Sequence, residues 1–274
     1  MDIKAFKMDG LGNDFVIIDQ RNQNFNLSKD QIIKICNRDF IGCDQLIFIQ
    51  KSEKKDAQLE FHNSDGSISG ACGNGTRCVA DFLSKENNDK EIVLWTSSGA
   101  LKSKILGNNL VETEIGIAKT SWKEIPLNKD LDTKNLNIKI VSKDNVEHIG
   151  GTSINVGNPH VVFFVDNIED YDLKKIGPEI ENHNYFPEKC NVTLAKVMNK
   201  NLIKVKVWER GAGLTKACGT AACATAVAAS INGLTDKKTD IEFALGKLSI
   251  SIDKNNNIHM KGPVSNIKNI EIKI

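Results

Sequence analysis

Positive charge is not in surplus in this 274-residue chain: 36 Lys and Arg stand against 35 Asp and Glu, a net charge of +1. A nucleic-acid binder or a polybasic membrane-surface protein needs a clear basic excess, so neither class fits. No stretch approaches the ~18 consecutive apolar residues of a membrane-spanning helix, and the start, MDIKAFKMDG, lacks the apolar core of a secretion signal. A soluble, cytoplasmic protein is expected. The seven cysteines include no C-x-x-C pair, which argues against a zinc ribbon or a disulfide scaffold. The five histidines are scattered and no His-x-x-x-His pattern occurs, so no metal site is expected. The glycine-rich run Gly70–Gly75 is not followed by Gly-Lys-Ser/Thr, which excludes a phosphate loop. Arginine is also scarce, at positions 21, 38, 77 and 210 only, so each one merits inspection.

What remains is a chain with 40% hydrophobic residues, enough to bury a core. Short apolar runs bounded by turn residues predict strands at 15–18, 46–49, 92–95 and 109–115, then at 161–165, 192–196, 203–208, 241–244 and 247–252. Helices are expected from Ser28, a natural N-cap, to Asn37, from just after Cys72 to Glu86, and from Gly219 to Ile231. The last of these is Ala, Cys, Thr and Val on every side, the mark of a buried helix. The class read from this pattern is mixed α/β or α+β. Lys51–Lys55 and the asparagines at 22, 24 and 26 read as solvated loop.

Comparing the chain with itself exposes a duplication. Gly12-Asn13 recurs as Gly157-Asn158, Gln45 as Asn191, and Ala71-Cys72-Gly73-Asn74 as Ala217-Cys218-Gly219-Thr220, at offsets of 145 to 146 positions. Gly99-x-Leu101 recurs as Gly246-x-Leu248, and Asn108-Asn109-Leu110 as Asn256-Asn257-Ile258. Two similar halves are expected, 1–117 and 118–262, with 263–274 returning as a strand to the first. No Pro/Gly/Ser-rich linker marks the join.

In each half the repeated element places a cysteine where a glycine-containing turn enters a helix. The helix dipole and unpaired backbone N–H groups there favour a thiolate and bind anions, so Gly73, Asn74, Gly219 and Thr220 are candidates to hold a carboxylate. Two such elbows facing one bound acid would remove a proton from one face of a carbon and return one to the other. The plainer reading of a single such cysteine is a small buried residue; duplication of the whole element favours chemistry. Cys36, Cys43, Cys78, Cys190 and Cys223 lack the paired glycine context and are expected to pack.

These motifs resemble the diaminopimelate epimerases. The resemblance runs through Lys7-Met8-Asp9-Gly10-Leu11-Gly12-Asn13-Asp14-Phe15, Gly42-Cys43-Asp44-Gln45 and Asn63-Ser64-Asp65-Gly66, then the first cysteine elbow. It continues through Gly157-Asn158-Pro159-His160, Asn191, Glu209-Arg210-Gly211 and the second elbow. Departures are Asp9 where His is common, Leu214 where a second acidic residue is common, and Ala221 where Gly is common.

The resemblance implies an α+β fold (α/β mixed) of two structurally similar pseudo-symmetric domains, each a curved, mostly antiparallel sheet wrapped around a central helix. The active site would lie in the cleft between them. It implies cofactor-independent epimerisation of L,L-diaminopimelate to the meso isomer, a step towards lysine and peptidoglycan precursors, by a two-base mechanism with one thiolate and one thiol that swap roles with reaction direction; from L,L to meso, Cys218 accepts and Cys72 donates the proton. Gly73, Asn74, Gly219 and Thr220 would hold the reacting carboxylate. Asn13, Gln45, Asn63, Asn158, Asn191, Glu209 and Arg210 would read the other amino-acid end, and His160 and Glu209 would tune the thiols. A small-molecule substrate, no nucleic-acid or membrane partner and a homodimer are expected. The alternatives are a proline or hydroxyproline racemase of the same architecture, a dithiol redox protein, or a binding module that keeps the elbows. Arg210 and the distal amides favour a double-headed substrate. For His160 the plainer reading is a histidine at a strand start bonded to backbone.

Overall fold

The computed structural model describes every residue except Met1, Asn24, Lys54 and Ala71. The alanine that opens the first cysteine motif, and parts of the two loop readings at Asn24 and Lys54, therefore lie outside the described residues. The chain divides into two compact units, Met1–Glu114 with Lys261–Ile274, and Ile115–Met260. Both are sheet-dominated α+β.

In chain order the first unit opens with β1 (Asp2–Gly10), β2 (Asn13–Asp19), α1 (Lys29–Cys36), β3 (Gln45–Gln50), β4 (Ala57–Asn63) and β5 (Ile68–Ser69). It continues with α2 (Gly73–Asn87), β6 (Glu91–Thr96), β7 (Gly99–Gly107) and β8 (Leu110–Ile117). The second unit carries β9 (Ile138–Val141), β10 (Glu147–Gly150), β11 (Thr152–Asn155), β12 (Pro159–Phe164) and α3 (Leu173–Glu181). There follow β13 (Asn191–Asn199), β14 (Leu202–Glu209), β15 (Gly213–Thr215), α4 (Gly219–Ile231), β16 (Lys238–Phe243), β17 (Gly246–Ile252) and β18 (Asn257–Pro263). The final strand, β19 (Lys268–Lys273), pairs antiparallel with β1.

The duplication seen in the sequence is a duplication of pairing. β2 runs parallel to β3 with Phe15 opposite Gln45, and β12 runs parallel to β13 with His160 opposite Asn191. β4 pairs with β5 with Phe61 opposite Ser69, and β14 with β15 with Val207 opposite Thr215. β4 is parallel to β6 at Ala57 and Leu94, and β14 to β16 at Ile203 and Ile241. Register of this kind is strongly specified because one face of each strand is buried, and a one-residue slip would turn that face outward.

The helices follow from local chemistry. Ser28 caps α1 in a reciprocal box with Gln31. α2 lays Cys78, Val79 and Leu83 on a floor that includes Phe15, Ile47 and Phe61, all essentially inaccessible. Burying side chains of this size contributes about 1.5–3 kcal/mol each. The start of α2 comes so close to that floor that a Cβ on Gly75 would stand 2.7 Å from Ile47 Cδ1 and 3.0 Å from Phe61 Cε1. Only glycine lets this turn, and hence Cys72, rest there. α4 is buried along almost its whole length and packs on β11, β12, β16 and β17, its alanines permitting the close approach.

α3 was not among the expected helices. Leu173, Ile176 and Ile180 form its buried face, but the Gly177-Pro178 pair inside it reads as a breaker. The glycine has a packing reason: a Cβ there would lie 2.6 Å from the Trp208 ring.

Candidate active site

Cys72 and Cys218 are the N-cap residues of α2 and α4, with backbone angles of −142° and 110° and of −140° and 118°. Neither side chain caps its own helix. The first intrahelical bonds run from Thr76 N–H to Cys72 O and from Ala222 N–H to Cys218 O. The N–H groups of Gly73 and Asn74, and of Gly219 and Thr220, therefore precede the ladder and point along the helix axis. Cys72 is half-buried and the other six cysteines are buried. The thiols of Cys78 and Cys190 are pushed up by burial, as suits packing residues.

In the first unit the elbow is tied to the start of β2. The Cys72 thiol lies 3.8 Å from Asn13 Oδ1, which also accepts from Asn74 Nδ2 at 3.2 Å. Asn74 Oδ1 accepts from Arg77 Nη2 at 2.8 Å, and Asn13 Nδ2 donates to Asp44 at 3.0 Å. A guanidinium only donates and a carboxylate only accepts, so charges at the two ends fix the direction of both amides. Arg77 is wholly buried. Its role was not among the expected ones; its one visible signal was being one of four arginines.

Gln45 Nε2 donates to Asn63 Oδ1 at 2.8 Å across the β3–β4 pair. Gln45 Oε1 is buried and has no partner among the described residues, an acceptor at the same end of the sheet as Asn13.

The second unit repeats the layout at the starts of β12 and β13 and the end of β14. Asn191 Nδ2 donates to Pro159 O, and Asn191 Oδ1 accepts from the Arg210 N–H at 3.0 Å. The Arg210 guanidinium donates to Glu188 O at 2.8 Å, and Glu209 accepts from the Thr215 hydroxyl. Cys218 Sγ lies 3.4 Å from the Thr220 hydroxyl.

The helix start was expected to favour a Cys218 thiolate, but burial, and then the Glu209 carboxylate, push this thiol well above its ordinary value. The Thr220 hydroxyl and the Ala221 N–H pull the other way and are outweighed.

His160 is also unlike the plain expectation of a backbone-bonded ring. It is fully buried and Nε2 meets Asn158 Oδ1 at 2.9 Å, while Nδ1 has no partner among the described residues. Burial, with the Arg210 charge adding to it, pushes its pKa down to about 3. The ring is neutral at physiological pH. The unfolded chain binds a proton below about pH 6.5 that the folded chain refuses. This contribution to stability is therefore complete above about pH 6.5 and is lost as pH falls towards 3. Phe15 occupies the matching register position in the first unit. The variant His160→Phe is expected to remove about 2 kcal/mol of the stability loss between pH 6.5 and 5, measured by urea unfolding at both values.

Among the described residues no group of three or more metal-ligating side chains gathers. Among the same residues no helix is long and apolar enough to cross a membrane.

Comparison with known proteins places these features in a wider set. Residues 5–121 and 152–267 match a family model described as diaminopimelate epimerase. A diaminopimelate epimerase of Pelagibacter ubique is 76% identical over 274 residues, covering all of both chains. Another, from a Caulobacter species, is 42% identical, covering 94% of this chain and 93% of the relative. Among solved structures, a phenazine biosynthesis protein of the PhzF family from Bacillus anthracis superposes with a TM-score of 0.70 at 15% identity, covering 100% of both chains. A hydroxyproline epimerase from Agrobacterium vitis gives 0.68 at 11% identity, covering 99% of this chain and 91% of that one. At these identities the structural likenesses speak to the fold alone.

Proposed function

Because the chain belongs to the diaminopimelate epimerase family, we propose that Cys72 and Cys218 are the two bases with which it inverts one stereocentre of diaminopimelate. The chain is an isomerase acting on a small molecule. The observation that carries the reading is the pair of matching cysteine N-caps, each at the start of a helix whose first N–H groups are free of the ladder.

Inversion without a cofactor calls for a base on one face of the α-carbon and an acid on the other. In the L,L-to-meso direction Cys218 accepts the α-proton and Cys72 delivers one. The substrate's ammonium groups bring positive charge to the Glu209 field that holds Cys218 protonated, and so release it as a base. The N–H groups of Gly73, Asn74, Gly219 and Thr220 hold the reacting carboxylate and stabilise the charge that develops beside it. Asn13, Gln45, Asn63, Asn158, Asn191, Glu209 and Arg210 bind the unreacting amino-acid end, with Arg210 for its carboxylate and Glu209 for its ammonium. His160, held neutral, keeps a second positive charge away from this site and orients Asn158.

The reading extends to residues 1–117 with 263–274 as one domain and 118–262 as the other, each supplying one cysteine. It extends to a cytoplasmic homodimer serving lysine and peptidoglycan precursor synthesis. The test is direct: purified protein with reductant and no pyridoxal phosphate is expected to convert L,L-diaminopimelate to the meso isomer, followed by chiral chromatography. Absence of meso product from folded, reduced protein refutes it.

A further inference from the structure

The two units differ at one buried position in a way that bears on the site. Cys36 ends α1 and Glu181 ends α3. The two residues occupy matching places, since the Cys43 N–H donates to Cys36 O and the Cys190 N–H donates to Glu181 O. In the first unit the position holds a thiol, 3.5 Å from the sulfur of Cys43. In the second it holds a carboxylate that is only 6% exposed. The fold itself is content with a small apolar group there, and a buried carboxylate is costly unless both oxygens are satisfied.

They are satisfied by the two residues that bracket Glu209 and Arg210. Glu181 Oε2 accepts from Trp208 Nε1 at 2.7 Å, and Oε1 accepts from the Gly211 N–H at 3.1 Å. The dipeptide Glu209-Arg210 is thus held from beneath on both sides, by charge-assisted bonds. Arg210 is tied further by its N–H to Asn191 and by its guanidinium to Glu188 O, and Glu209 by the Thr215 hydroxyl and by the Ala212 N–H on its carbonyl. Gly211 has a φ of 75° and is exposed, so the turn has no packing to hold it from above.

We propose that Glu181 is a positioning residue for substrate binding, fixing the Glu209-Arg210 turn so that it meets the second amino-acid end of the substrate already ordered. This rests on the reading of Arg210 given above. A pre-ordered turn strengthens binding without touching the reacting atoms. Its loss therefore shows chiefly in KM, with only a small change in kcat through the Glu209 carboxylate beside Cys218.

The test is steady-state kinetics on Glu181→Gln, with circular dichroism to establish folding. Glutamine keeps the volume but has one acceptor for two donors. KM for diaminopimelate is expected to rise about tenfold with kcat within about threefold, the effect of one lost charge-assisted bond. Trp208→Phe, which deletes one donor and keeps an aromatic ring, is expected to raise KM about threefold; it decides the matter alone if Glu181→Gln does not fold. A purely structural role would lower the melting temperature and leave KM where it was, which overturns the inference, as does a fall in kcat at constant KM. Arg210→Met is measured in parallel. Unchanged KM in Arg210→Met overturns the substrate reading of that arginine, whereas a rise there without one in Glu181→Gln overturns only the role given to Glu181.

Discussion

Replacing either Cys72 or Cys218 with alanine is expected to lower the kcat of epimerisation by about 10²- to 10⁴-fold, the usual worth of a positioned general acid or base. Each variant should fold. Alanine keeps the helix start and removes one sulfur, and neither cysteine side chain caps its helix. A single thiol cannot serve both faces of one carbon, so the two losses should be similar, and the double variant should be little worse than either. Chiral chromatography of the product checks this, and turnover within tenfold of the parent in either variant would remove that cysteine from the chemistry. Cys78→Ala is the natural control, since that sulfur is buried in the core of the first unit.

The second large effect is expected at Arg210. Arg210→Met should reduce kcat/KM by about 100-fold, equivalent to about 3 kcal/mol, because a substrate carboxylate then lacks its charged partner. Most of the change should appear in KM. Arg210→Lys should recover only part of it, since a lysine keeps the charge and loses the planar pair of donors. Steady-state kinetics on both variants check the order, and full recovery by lysine would show that charge alone is read. The guanidinium is already oriented by Glu188 O, and the backbone N–H of the same residue by Asn191.

The duplication was legible because it is written in local signals. A Gly-Asn pair, an amide opening an apolar run and a cysteine before a glycine turn recur at nearly constant spacing, and each marks the same element in both units. α2 and α4 start directly after the two cysteines, as the turn chemistry requires. What escaped notice depends on burial, which a linear pattern does not record. Nothing beside Arg77 in the sequence says that its guanidinium is enclosed and orients Asn74. Glu181 reads as an ordinary helix-end acid until the fold brings it under residues nearly thirty positions later. α3 was hidden by Gly177-Pro178, whose glycine is there to admit the Trp208 ring. The balance of influences on Cys218 escapes a linear reading for the same reason. The helix start is a local feature and was visible; the burial of Cys218 and the neighbouring Glu209 carboxylate are tertiary, and they push the thiol up.

The central claim is that two thiols, not one, handle the proton, and the epimerisation run in D2O tests it most directly. Early in the reaction the meso product is expected to carry one deuterium at the inverted carbon, while recovered L,L-diaminopimelate remains protiated, because the thiol that delivers the proton is not the one that took it. Deuterium entering the recovered L,L substrate as fast as meso product forms would mean that a single group does both, and would contradict the account.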